Sequence, residues 1–283
     1  MTAARGFAER FRTLRAERGP FCLGLDPTPE LLVAWGLEDD IWGLRRFCER
    51  VIDASEQRLS VIKPQSAYFE RFGAAGLEVL ADVIGSIHAL GSLALLDVKR
   101  GDIGSTNEAY AQALLGPDSP MAADAITVHA YLGFGALGPF LDRAVATGTG
   151  LFVVVLSSNP EGAALQAAEV SPGVSVAEHV ADAITAFNRA HADAAGMGPV
   201  GAVVGVTAER APAIAARLPG SLILAPGLGA QGGTWEAVRE RFGAVRERIL
   251  PTSSRGALGA GPDLGKLRAA IREHADRARE VLG

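Results

Sequence analysis

A chain of 283 residues with 48% hydrophobic and 21% charged composition is long enough to bury a large core and has the balance of an ordinary globular protein. Its formal net charge of −5 comes without a basic run, which argues against nucleic acid as a partner, and no apolar stretch approaches the roughly 20 residues of a membrane span. Two cysteines, Cys22 and Cys48, are too few for a disulfide scaffold and lack metal-ligand spacing, so the expected setting is a reducing cytoplasm.

At the start of the chain, Phe7, Phe11 and Leu14 recur at helical spacing among charges of both signs, which predicts an N-terminal helix and not a signal peptide. Eight short runs rich in leucine or β-branched residues follow, at 21–26, 59–63, 93–98, 125–129, 151–156, 201–206, 221–225 and 248–251. Each is succeeded by a stretch with helical periodicity, as at 76–90 and 264–282. Several runs are apolar on both faces, which suits parallel strands covered by helices. The last is the weakest, being short and ending on a proline. Eight such units predict an α/β fold, a (β/α)8 TIM barrel forming a single domain over 1–283. An open doubly wound sheet would explain the alternation with fewer strands. The longest connection, 157–199, is rich in Gly, Pro and Ala in its first half and helical in its second, which predicts a loop near the top of the barrel.

In such barrels chemistry gathers where strands end. Those ends supply Asp26, Lys63, Asp97, Lys99, Asp102, His129, Ser157, Ser158 and Arg255. Only three of the 27 basic residues are lysine, and two of them, Lys63 and Lys99, sit at strand ends. Arginine holds its proton too tightly for acid/base work, whereas a lysine can release one, so an ammonium is needed at these two places. Strand alternation sends Asp97 and Lys99 to one side, with Asp102 following on the loop. Two carboxylates in one pocket need cations between them, which predicts an alternating Lys-Asp-Lys-Asp array. The bland alternative is a surface ion-pair cluster. His129 reads as a structural residue satisfying local hydrogen bonds.

The segment DVKRGDIGST at 97–106, LGLDPTP around Asp26 and VIKPQ around Lys63 resemble the orotidine 5'-phosphate decarboxylases, as do LSSNP at 156–160, APGLGAQGG at 225–233 and SSRGAL at 253–258. The resemblance spans most of the chain. It implies conversion of orotidine 5'-monophosphate to uridine 5'-monophosphate and carbon dioxide in pyrimidine biosynthesis, without cofactor or metal. Lys99 would protonate C6 of the pyrimidine, Asp97 and Asp102 would lie beside the leaving carboxylate, and Asp26 and Lys63 would bind ribose hydroxyls. Gln231 and Arg255 would hold the phosphate, assisted by backbone amides of the Gly-rich segment. Ser158, with Ser157 as a competitor, and Thr106 would face the pyrimidine. The resemblance also implies a homodimer in which Asp102, Ile103 and Thr106 enter the partner's site. One departure is Gly104, where many relatives carry proline. A magnesium-dependent hexulose-phosphate synthase shares the Asp-x-Lys-x-x-Asp spacing, but has an acidic residue where this chain has Lys63, which would repel the metal.

Overall fold

The computed structural model describes residues 5–229 and 232–283. Eight parallel strands close on themselves: β1 (Cys22–Leu25), β2 (Val61–Pro64), β3 (Leu93–Arg100), β4 (Ala125–His129), β5 (Gly150–Leu156), β6 (Val200–Val204), β7 (Ile223–Ala225) and β8 (Ile249–Ser253). Each pairs with its neighbours in sequence order, and β1 completes the ring by pairing with both β2 and β8. This is the (β/α)8 barrel that the eight apolar runs predict.

The period-two alternation of each strand splits the core in two. Outward residues such as Leu23, Ile62, Leu96 and Ile126 pack against the helices, where Leu44, Phe47, Val51 and Ile84 are buried. Inward residues, including Cys22, Val61, Leu95, Phe152 and Leu250, form a second cluster with Phe7 and Phe11 of the helix Phe7–Arg18. Phe7 meets Phe152 edge-on, with ring centroids 5.7 Å apart. That helix stoppers the barrel at the N-terminal ends of the strands, and burial of its two phenylalanines contributes about 2–3 kcal/mol each. Polar anchors hold it there. Arg10 pairs with Asp124 just before β4, and Arg18 donates to the carbonyls of Leu59, Leu90 and Gly91 at 3.2, 3.1 and 3.0 Å. With the bottom sealed, the open mouth is at the strands' C-terminal ends.

The connection 157–199 has the helical second half that its sequence predicts, but its Gly/Pro/Ala-rich first half, expected to be a loop, is more structured than its composition suggests. It holds a short helix, Ala163–Ala167, and a hairpin of strands Glu169–Ser171 and Val174–Ser175 turning at Pro172-Gly173, where Gly173 takes φ 75°. The helix Val176–Ala190 then starts on a capping box, in which Ser175 and Glu178 satisfy each other's backbone N–H groups. The Ser175 hydroxyl and backbone N–H, which donate to the Glu178 carboxylate at 2.6 and 2.9 Å, together with Arg210 hold that carboxyl down to about 2. The weak eighth run extends further than its apolar part, because Thr252 and Ser253 continue the pairing with Cys22 and Leu23. Among the described residues no helix is long and apolar enough to cross a membrane.

Candidate active site

Every strand gives one inward residue to the floor of a cleft of 260 Å³ at the open mouth. Gly24, Lys63, Asp97 and Thr127 come from β1 to β4, whereas Val154, Val203 and Leu224 come from β5 to β7 and Thr252 from β8. One side of the floor is therefore charged and the other apolar. Asp26, Gln65, Lys99, Ser157, Ser158, the segment from Pro226 to Leu228 and that from Ser253 to Arg255 form the walls.

Asp97 is the hub. Its Oδ2 accepts hydrogen bonds from Lys63 Nζ at 2.8 Å and Gln65 Nε2 at 3.3 Å, and its Oδ1 from Lys99 Nζ at 2.5 Å and the Thr127 hydroxyl at 2.7 Å. The Lys63 and Asp97 side chains are each 8% exposed, while Lys99 is 50% exposed. Burial alone would raise the Asp97 carboxyl, but Lys63 and Lys99 outweigh it and hold the group well below the usual carboxylate range. Burial likewise opposes the Lys63 charge, and Asp97 with Asp26 overcomes it, so this ammonium binds its proton more tightly than a free lysine.

Asp97 and Lys99 do meet, but plain alternation is not the reason. Leu96 pairs with Ile126 and Arg100 with Val128, so residues 97–99 all lie opposite Thr127 alone. This bulge puts Lys99 at φ 44°, a left-handed conformation that costs a non-glycine residue about 1 kcal/mol or more. Bulges beside active sites re-aim side chains in this way.

Asp102 and Thr106 lie elsewhere. Neither lines the cleft, and Thr106 is exposed. The Asp102 carboxylate accepts from the Ile103 N–H at 2.8 Å, and no described residue forms an ion pair with it. Its backbone is clamped by buried Asn107, which accepts from the Asp102 N–H at 2.9 Å and donates to the Ala136 carbonyl at 2.7 Å. The four-membered array expected from the spacing is therefore, within one chain, Lys63-Asp97-Lys99. Physically, the chain leaves the barrel at Gly101, which sits so close to the His129 ring and carbonyl that a Cβ there would come within 2.7 Å of both. His129 itself is absent from the cleft lining, and its Nδ1 is buried without a partner among the described residues.

Asp26 Oδ1 and the Ser254 hydroxyl, both in the cleft wall, are buried and have no hydrogen-bond partner among the described residues. Buried polar atoms of this kind ask for a ligand that can donate to them. Arg255 opens the short helix Arg255–Leu258 at the rim, and no described residue forms an ion pair with it. Gln231 lies outside the described residues. Around it, the amides of Gly229, Gly232 and Gly233 donate to carbonyls of the same segment at 2.8, 2.8 and 2.9 Å, so these three are already engaged within the loop instead of pointing at an anion. The Ser157 hydroxyl accepts from Gln166 Nε2 at 2.7 Å, and Ser158 lies beside it in the wall. Sequence reasoning missed Thr127 and Gln65. Thr127 reads as an ordinary strand former, though it shares a strand face with His129, and Gln65 follows Lys63 by two residues in VIKPQ.

The family model of the orotidine 5'-phosphate decarboxylase / HUMPS family matches residues 19–270. The chain belongs to this family. A protein of Salinispora arenicola named orotidine 5'-phosphate decarboxylase is 52% identical over 264 residues, which cover 93% of this chain and 94% of the relative. One of the same name from Myxococcus xanthus is 49% identical over 282 residues, 99% of this chain and 97% of the relative. A crystal structure of a protein assigned to the same enzyme, from Streptomyces avermitilis, superposes with a TM-score of 0.92 at 41% identity, covering 99% of this chain and 97% of that one. These relatives fall on the decarboxylase side of the family.

Proposed function

We propose that this chain is a carboxy-lyase that converts orotidine 5'-monophosphate to uridine 5'-monophosphate and carbon dioxide, with Lys99 as the proton donor. The observation that carries this reading is the buried Asp97 carboxylate bound to two lysines of different character. When the bond from C6 to the carboxylate breaks, its electron pair stays on C6 and carbon dioxide leaves. The ring carbonyls cannot delocalise that pair, so a nearby ammonium must stabilise it and then deliver a proton from Nζ to C6. Lys99 is half exposed and can recover its proton from water. Lys63, buried and tightly protonated, suits a fixed charge that orients Asp97 and binds ribose. The reaction drawn this way calls on no metal or cofactor.

The remaining contacts follow from the cleft. Asp26 offers its Oδ1, which has no partner among the described residues, to a ribose hydroxyl. Arg255, joined by Gln231, takes the phosphate, where a guanidinium fork can make two charge-assisted bonds. Ser158 in the cleft wall faces the pyrimidine, with the neighbouring Ser157 as its competitor. Asp102 and Thr106 serve the partner subunit of a homodimer. A carboxylate without a described cation supports this, and so do exposed apolar side chains on the connections after β3 and β4: Ile103, Tyr131 and Leu132 are 60%, 74% and 51% exposed. Exposed apolar side chains of this size favour association. The setting is cytoplasmic, where the buried thiol of Cys22, pushed up to about 12 by burial, stays reduced and inert.

The test is turnover of orotidine 5'-monophosphate in heavy water, with the product read by NMR. Uridine 5'-monophosphate deuterated at C6 is expected from the wild type and its loss in Lys99→Ala. Equal product from both would remove Lys99 from the proton transfer.

A further inference from the structure

We propose that Thr127 is a positioning residue for Lys99, an inference that rests on the reading of Lys99 as proton donor. Thr127 is 1% exposed on the inward face of β4, directly opposite the bulge in β3. A hydroxyl has one proton to give and lone pairs to accept with. Here the proton goes to Asp97 Oδ1 at 2.7 Å, and a lone pair takes the Lys99 backbone N–H at 3.0 Å. The same Asp97 oxygen also accepts from Lys99 Nζ at 2.5 Å. One side chain thus holds both ends of the lysine: its backbone directly and its ammonium through the shared carboxylate oxygen.

That double hold matters because Lys99 sits at φ 44°, a conformation that persists only where the surroundings impose it. Without the hydroxyl, the Lys99 N–H loses its acceptor and the backbone is free to relax towards the extended region, carrying Nζ away from the reacting carbon. The contacts assigned to phosphate and ribose, Arg255 and Asp26, come from other strands and would not move. The loss should therefore fall on the chemical step and spare binding.

Thr127→Val removes the hydroxyl at nearly constant volume, and Thr127→Ser retains it. Kinetics on orotidine 5'-monophosphate should show kcat lowered on the order of ten- to hundredfold in Thr127→Val with KM within about threefold, as losing a bond to a charged group implies. Thr127→Ser should stay within about threefold of wild type in kcat, since the bond is kept. Thr127→Ala carries the same expectation as valine if the valine variant does not fold. Wild-type kcat in the hydroxyl-free variants, or a serine variant as impaired as they are, overturns the inference. Lys99→Ala run beside them separates the two readings: if it keeps wild-type kcat, the assignment of Lys99 fails first.

Discussion

Replacing Lys63 with methionine keeps the length of the side chain and removes its charge, and the surrounding bonds set what that should cost. Lys63 and Asp97 are each 8% exposed and 2.8 Å apart, so neither charge has water to fall back on. At an effective dielectric of 20 their attraction is roughly 6 kcal/mol, most of which offsets the desolvation of the two groups. Breaking a buried pair from one side typically costs about 3–5 kcal/mol. In Lys63→Met the Asp97 carboxylate keeps Lys99, Thr127 and Gln65, which places the loss near the lower figure. In Asp97→Leu the Lys63 ammonium loses its hydrogen-bond acceptor and keeps the more distant attraction of Asp26, which places it near the upper one. The double variant removes both charges of the pair together, so it should be no less stable than the milder single, giving a coupling of at least about 5 kcal/mol, the cost of the harsher single. Urea unfolding at pH 7 and fixed protein concentration, followed by tryptophan fluorescence, measures all four proteins. A double variant destabilised by the sum of the two singles, within about 0.5 kcal/mol, would refute the reasoning.

The pH dependence follows from the same pair. Asp97 titrates lower folded than unfolded, so its contribution is complete above its unfolded value of about 3.9 and is lost as pH falls through the folded value; Lys63 titrates higher, so its contribution is complete below about 10.5 and is lost as pH rises through its folded value. The stability gap between wild type and the Lys63→Met/Asp97→Leu double variant should therefore be flat from about pH 5 to 9 and shrink in acid, and a steady drift across that window in urea midpoints would contradict it. Arg255→Ala should lower kcat/KM for orotidine 5'-monophosphate by about a hundredfold or more, yet barely alter turnover of orotidine, which lacks the phosphate; equal losses on both would move Arg255 out of the phosphate site. Mixing inactive Lys99→Ala with inactive Asp102→Ala should restore part of the activity if each site draws Asp102 from the partner, and no recovery despite proven subunit exchange would sink the shared site.

The barrel was legible because its signal is repeated eight times. Runs such as 93–98 and 151–156 are long enough in apolar residues to mark themselves, and the inward-outward division of the core follows from strand period alone. The hairpin at 169–175 was not legible, since its strands are two or three residues long and exposed on the first arm, too short for any alternation to register. In the site, the scarcity of lysine pointed to Lys63 and Lys99, and their union through Asp97 is what charge balance demands. The bulge that produces it left no mark, because nothing in DVKRGD announces that three residues will face one across β4. Thr127 was hidden for a related reason: a threonine inside AITVH is as good a strand former as a ligand, and only the partner strand's geometry tells the two apart. Asp102 shows the limit of spacing arguments. Three residues from Lys99 is close in sequence, but the tight packing of Gly101 on His129 carries the chain away before Asp102 is reached.

The most direct measurement of the central claim is the ultraviolet absorbance of orotidine 5'-monophosphate over time with purified, chelator-treated wild type and Lys99→Ala protein. Decay of the substrate's absorbance with the wild type alone is the expected result, and it would establish the decarboxylation together with its dependence on the lysine. An unchanged absorbance with folded wild type, or equal decay with Lys99→Ala, would contradict the claim.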